Sequence, residues 1–318
     1  MSRGLRLGAL ALLVVAAFAL SLAAGKQWLS PTTTTGAAIF IELRLPRAIL
    51  GLLLGATLGL SGAVLQGFLR NPLADPGVLG VSSSGALGAV FVILYVGASG
   101  ILLFAGALAG AMAALLLLVL LTWRGADAVA FVLAGTVLAS LTAALTAFLI
   151  AIAPNPYAVA GVLDWLMGAL TDRGLVDVAR AAPLLCVSMA MLACTGRALD
   201  ALALGEGAAR SLGIHLGRLQ LLVMLGTGIG VGAGVAATGV VGFVGLVVPH
   251  LLRPLFGHRP SDLLLPSALG GAALVLVADS LCRLAPGAAE VRLGVAMALI
   301  GAPFFLTLLL RRRGQAWI

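Results

Sequence analysis

The sequence predicts an all-α polytopic membrane protein of about ten transmembrane helices, on three observations. Hydrophobic residues make up 62% of the 318 residues and charged residues 9%, against roughly 25% charged in a soluble domain. The apolar residues recur in runs of about 20, the length that crosses a bilayer as a helix. The arginines stand at the ends of those runs, where they set membrane orientation. The formal charge of +8 therefore does not mark a nucleic-acid surface, which would gather its cations on one solvated face.

The first run covers residues 5–24, behind Arg3 and Arg6. A basic start also opens a secretory leader, but this run is longer than a leader core and reads as a retained first helix. Residues 25–47 read as a polar segment with Trp28 as an interface anchor. Further runs follow at 48–68, 78–97, 99–121, 129–152, 181–195, 219–236, 240–256, 263–282 and 293–310.

The second run carries Gly51, Gly55 and Gly59 on one helical face, where bare backbone lets a neighbouring helix approach. It ends at Asn71-Pro72-Leu73-Ala74-Asp75-Pro76, whose two prolines cannot continue a helix. This predicts a transmembrane hairpin with an ordered polar corner. The glycines between Gly226 and Gly234 predict close packing on another helix, because no strand–turn–helix unit surrounds them to make a nucleotide loop. The eighth run is short and contains Pro249, which is tolerated at membrane depth only where protein or a cavity satisfies the freed backbone.

Two loops stand out. Residues 153–180, with Trp165, read as helical or re-entrant on the outer side. Residues 196–218 form the largest inner loop, with leucines at helical spacing and a break near Gly205-Glu206-Gly207. Two short helices follow, lying in the headgroups or serving as a docking element for a cytoplasmic protein. Ten spans with the amino terminus inside place most basic residues inside, including Arg311, Arg312 and Arg313. Arg44, Arg47 and Arg283 fall outside, against that rule. They either snorkel and pair with Glu42 and Asp279, or present guanidinium forks to the carboxylates of an external partner.

The chemistry available is narrow. Lys26 is the only lysine and Gln27 follows it, so no Walker A motif exists. His215, His250 and His258 are isolated, and Cys186, Cys194 and Cys282 show no CxxC spacing. Neither a metal site, a cofactor nor a redox pair is indicated. The span interiors are almost free of ionisable residues, with Asp279 near a span end the main exception, which argues against an ion-driven carrier. A path-forming subunit that draws its energy from elsewhere remains, and not an enzyme.

Several strings, in order along nearly the whole chain, resemble the FecCD family of ABC-importer permeases. They are RLPR at 44–47, GATLGLSGAVLQGFLRNPLADPGVLG at 55–80, WLMGAL at 165–170, LALGEGAARSLG at 202–213 and GVVGFVGLVVPHLLR at 239–253. Asp279, Arg283 and Glu290 close the pattern.

The resemblance implies a type II ABC importer permease fold, with residues 1–318 as one transmembrane domain in the bacterial inner membrane and both termini cytoplasmic. It implies import of an iron–siderophore complex, haem or vitamin B12, the last being the specific alternative. Its partners would be two cytoplasmic ABC ATPase subunits, an extracytoplasmic substrate-binding protein and a second permease copy. By the same resemblance, Arg44, Arg47 and Arg283 dock the binding protein. Leu204, Gly205, Glu206, Ala209, Arg210, Leu212 and Gly213 couple to the ATPase, and Asn71, Leu73, Ala128 and Val129 form the inner constriction. His250 shapes the corner around Pro249. Similar permeases carry a proline where this chain has Arg292, so the outer loop is less restricted and gains a charge. The competing class is a carrier or channel working alone.

Overall fold

The structure, a computed structural model, describes residues 2–25, 33–122, 128–286 and 290–313, and helices are the only regular structure among them. Helix α1 (Arg3–Ala23) comes first. Helix α2 (Thr34–Ile39), a π-turn (Phe40–Arg44) and α3 (Leu45–Phe68) then run on without a break. The polar segment expected over 25–47 is therefore helical from Thr34 onward, which corrects that expectation. The cause is local. The Thr33 hydroxyl caps the start by accepting from the Gly36 N–H at 3.1 Å. The wide turn, closed by the Leu45 N–H on the Phe40 carbonyl, admits Pro46, which has no N–H to give. Trp28 lies outside the described residues.

After the corner come α4 (Val81–Phe91), extended by a π-turn to Val96, then α5 (Ile101–Thr122), α6 (Ala128–Ala151) and α7 (Pro156–Leu166). Helix α7 occupies the outer loop and starts where Asn155 accepts from the Tyr157 N–H at 3.0 Å. Helix α8 (Leu175–Ala193) leads to the inner loop, which folds as α9 (Gly196–Ala203) and α10 (Glu206–Ser211). The chain closes with α11 (Leu216–Thr238), α12 (Val244–Phe256), α13 (Pro260–Leu284) and α14 (Leu293–Arg313). Among the described residues, seven helices are long and apolar enough to cross a membrane. The expected third, eighth and tenth spans coincide with shorter apolar helices, Val81–Val96, Val244–Phe256 and Leu293–Thr307.

Helix α3 is the hub, packed on α13, α8, α12 and α11. A methyl added at Gly55 or Gly59 would overlap the carbonyls of Gly271 and Ser267 on α13, and one at Gly62 would overlap Gly245 of α12. Such close approach joins helices in lipid, where apolar burial gives little drive. Gly51 instead meets the Leu170 and Leu276 side chains, at 3.3 and 3.4 Å from an added methyl. Along α11, Gly226 and Gly228 receive Leu192 of α8 and Leu115 of α5. Helices α1 and α6 lie at the edge.

Candidate functional site

At the end of the bundle where α3 begins and α13 finishes, the two helices bring charges together. Arg47 donates from Nε and Nη2 to both Asp279 oxygens at 2.9–3.1 Å, and its Nη2 lies 2.9 Å from Glu290. Arg283 pairs with Asp279 at 3.0 Å and donates to the Ala24 carbonyl at 3.0 Å and to Ser21 Oγ at 2.8 Å. Arg44 donates to the Leu22 and Ala23 carbonyls at 3.0 and 3.1 Å. Two arginines thus satisfy the carbonyls that the end of α1 leaves open. The Arg283 and Arg47 side chains are only 4% and 11% exposed, while Arg44 is half-buried. The pairing expected with Asp279 is present.

Arg292 grips Asp164 of α7 through two hydrogen bonds at 2.8 and 2.6 Å, so the charge that replaces the family's proline has a partner. Beside it lies an outer pocket of about 590 Å³, lined in part by Trp165, Thr171, Asp172 and Arg173. Trp165 Nε1 and Arg173 Nε have no hydrogen-bond partner among the described residues. Burial pushes the Arg173 guanidinium below its usual range, against the pull of Asp177 and Asp172.

At the opposite end of α3 the polar corner is ordered as expected. Asn71 Oδ1 accepts from the Leu73 N–H at 3.0 Å, and Asp75 Oδ1 from the Gly77 N–H at 2.7 Å. Burial pushes the Asp75 carboxyl above its usual range, while the N–H groups of Gly77 and Leu246 pull it back. Arg70 lies 4.0 Å from Glu206 of α10, and Glu206 lies 3.7 Å from Arg210.

The inner loop breaks at Gly205, which has φ of 103°, and α10 ends in a turn that Gly213 makes possible. There the Ile214 N–H reaches the Ala209 carbonyl at 3.0 Å and the Gly213 N–H reaches Arg210 at 3.0 Å. Leu199, Leu202 and Ala209 are buried, whereas Leu204 and Leu212 are 73% and 63% exposed. Asp200 fastens α9 to the start of α13, accepting from Arg259 Nε at 2.7 Å and from the Ser261 N–H at 2.9 Å. Burial would raise the Asp200 carboxyl, but the hydrogen bonds from Ser261 and Arg259 outweigh it and hold it below its usual range.

Between the two ends lies a cavity of about 460 Å³. Asp75 and Ser83 line it from the corner side, Ala143 and Thr146 from α6, and Val240 and Phe243 from the unwound α11–α12 junction. Helix α6 has three faces. Leu133, Val137, Leu141 and Phe148 are exposed. Thr142 turns inward and hydrogen-bonds Ser83 at 2.9 Å. Alanines and Thr146 face the cavity. Ala128 and Val129 open this helix, and their side chains lie outside the described residues.

Residue spacing did not reveal Gln66, Arg253, Asp164 or Asp200 as tie points. Only Gln66 gave a signal, as a lone amide inside an apolar run. Among the described residues no group of three or more His, Cys, Asp or Glu side chains is placed to hold a metal ion.

Comparison with known proteins agrees with this architecture. Residues 11–311 match the FecCD transport family. The chain is 38% identical over 310 residues to the vitamin B12 import system permease protein BtuC of Salmonella typhi, covering 95% of this chain and 94% of that one. It is 39% identical over 314 residues to BtuC of Escherichia coli O9:H4, covering 96% and 94%. A solved structure described as an inward-facing conformation of a metal-chelate type ABC transporter superposes with a TM-score of 0.87. It is 33% identical, covering 97% of this chain and 99% of that one. PsaBC from Streptococcus pneumoniae, at 19% identity and a TM-score of 0.56 over 82% and 89% of the two chains, shares the fold. The chain is a transport permease of the FecCD family, of the kind found in ABC importers.

Proposed function

We propose that this chain forms the membrane path of a binding-protein-dependent importer that carries cobalamin into the cell, with iron chelates as the second reading. The likeness to vitamin B12 import permeases along 95% of the chain supports cobalamin. The superposition on a metal-chelate type transporter keeps the second reading in view.

Two copies would enclose the path, because the cavity opens beside the exposed face of α6. The proposal has ten crossings with both termini cytoplasmic. Two ATPase subunits would sit on α9 and α10, and a binding protein would dock outside. For the ATPase contact, the supporting observation is the pair of exposed leucines, Leu204 and Leu212, flanking Glu206 and Arg210. Gly205, Ala209 and Gly213 would hold that surface in shape. For the binding protein it is the rim where Arg44, Arg47 and Arg283 gather beside Asp279 and Glu290. Asn71, Leu73, Ala128 and Val129 would close the inner mouth.

Transport follows from alternating access. ATP binding draws the ATPases together and shifts α9 and α10. Asp200 passes that shift to α13 and Glu206 passes it to the corner. Small and hydroxyl side chains around the cavity hold the solute weakly, so that it is released. In a strain lacking this chain, uptake of cyanocobalamin, a ferric siderophore and haem should show loss of cyanocobalamin uptake. Loss confined to an iron complex would overturn the cobalamin assignment. Import that persists with catalytically dead ATPase subunits would overturn the importer itself.

A further inference from the structure

We propose that the corner at residues 71–77 and the start of α12 form one rigid joint, with Gln66, Asp75 and Arg253 as the positioning residues that carry movement of the inner loop to the cavity. This rests on the importer reading above. It also gives a physical reason for two strings, NPLADP and GLVVPHLLR, that are remote in sequence and meet here.

Gln66 is 4% exposed and uses its whole amide. Its Nε2 donates to the Gly245 carbonyl at 3.2 Å and, more weakly, to the Ala74 carbonyl at 3.5 Å. Its Oε1 receives Arg253 Nη2 at 2.7 Å. One side chain of α3 therefore holds the corner, the first turn of α12 and its last turn. Asp75 adds a second brace: its Oδ1 accepts from the Gly77 N–H at 2.7 Å and fixes the corner, whose Pro76 ring packs against Gly245 of α12. The Leu246 N–H in that first turn donates to the Phe243 carbonyl at 3.2 Å, and the helix start favours the negative charge of Asp75 beside it.

Packing leaves no room for slip. A methyl on Gly245 would come within 2.7 Å of Pro76, and its backbone already lies on Gly62 of α3. The compliant point is on the far side of the joint. Phe243, just before α12, has φ of 67°, a genuine outlier for a bulky residue and a store of backbone strain. Its ring lies against Gly301 of α14. Asp75 and Phe243 both line the cavity, while Arg70 at the other end of the joint faces Glu206. Movement entering at Glu206 thus meets a stiff block first and a strained hinge second, and the hinge borders the solute. A loose joint would absorb the movement before it reached the cavity.

The test uses the assembled transporter, with its ATPase subunits and binding protein, in proteoliposomes with cyanocobalamin as probe. Gln66→Leu and Asp75→Leu should each lower import about tenfold while ATP hydrolysis stays within about twofold of wild type. Asp75→Asn, which keeps an acceptor oxygen, should restore most of the import. The double Leu variant should fall no further than the worse single, because both changes open the same joint. Wild-type import in either Leu variant, independent multiplication of their effects, or an Asp75→Asn variant as poor as Asp75→Leu would overturn the joint. If the Leu variants fail to assemble, Gln66→Asn and Arg253→Lys decide, and unchanged solute per ATP in both would overturn it. A wild-type transporter that moves no cyanocobalamin under ATP would instead count against the importer reading, leaving the joint to be judged with an iron chelate as probe.

Discussion

At the scale of single residues, the outer ion cluster shows how a membrane protein keeps charge near lipid. Asp279 has a 2% exposed side chain and two arginines around it. Breaking a buried ion pair typically costs about 3–5 kcal/mol, and with Arg283 still on Asp279 the loss of Arg47 should fall below that range. Arg47→Ala should therefore lower the thermal unfolding temperature of the solubilised protein much more than Arg44→Ala, since Arg44 is half-exposed and bonded to carbonyls. Equal losses would contradict the assigned geometry. Arg44→Glu should instead weaken binding-protein association, more so at low salt. Asp200 offers a test through pH. Its folded carboxyl is held below the usual range, so its stabilisation is present above the unfolded value near ~3.9 and fades as pH falls through the folded value. The stability gap between wild type and Asp200→Asn should stay flat from about pH 5 to 8 and shrink below about pH 4. The sequence identified Asp279 as an arginine partner because it is the main charge inside a run. It did not show that Arg44 and Arg283 cap α1, because that contact exists only once α1 packs against α13.

At the scale of elements, glycine spacing was informative where it set backbone against backbone. Gly55 and Gly59 meet α13 in that way, but Gly51 meets side chains, a difference that depends on what the neighbour presents rather than on spacing. Gly59→Ala should force α3 and α13 apart and cost about 1–3 kcal/mol or the folded protein. Gly8→Ala, with nothing within 4 Å, should leave melting unchanged. The two short inner helices were readable from leucine spacing and the glycine break. The helical stretch over Thr34–Arg44 was not, because a π-turn that accommodates Pro46 leaves no pattern in composition. Leu204→Asp and Leu212→Asp should uncouple ATP hydrolysis from transport without lowering the unfolding temperature. A transport rate equal to wild type in both would remove the coupling assignment from this surface.

At the scale of the whole molecule, composition alone was enough to give the class, and seven spans follow from length. The three further spans that the sequence predicts coincide with shorter apolar helices, interrupted by glycine, proline or unwound backbone, which lipid would not tolerate but a packed neighbour or a cavity does. The path is therefore least legible where it is broken, at the α11–α12 junction and the polar corner. As proposed, this chain is a passive path driven by ATPases on its cytoplasmic face. The most direct test is accumulation of cyanocobalamin in proteoliposomes that hold the complete complex, with binding protein outside and ATP inside. Cyanocobalamin should accumulate against a gradient, and accumulation should stop when the ATPase subunits are catalytically dead. Accumulation by the permease alone, without ATPase subunits, would contradict the proposal.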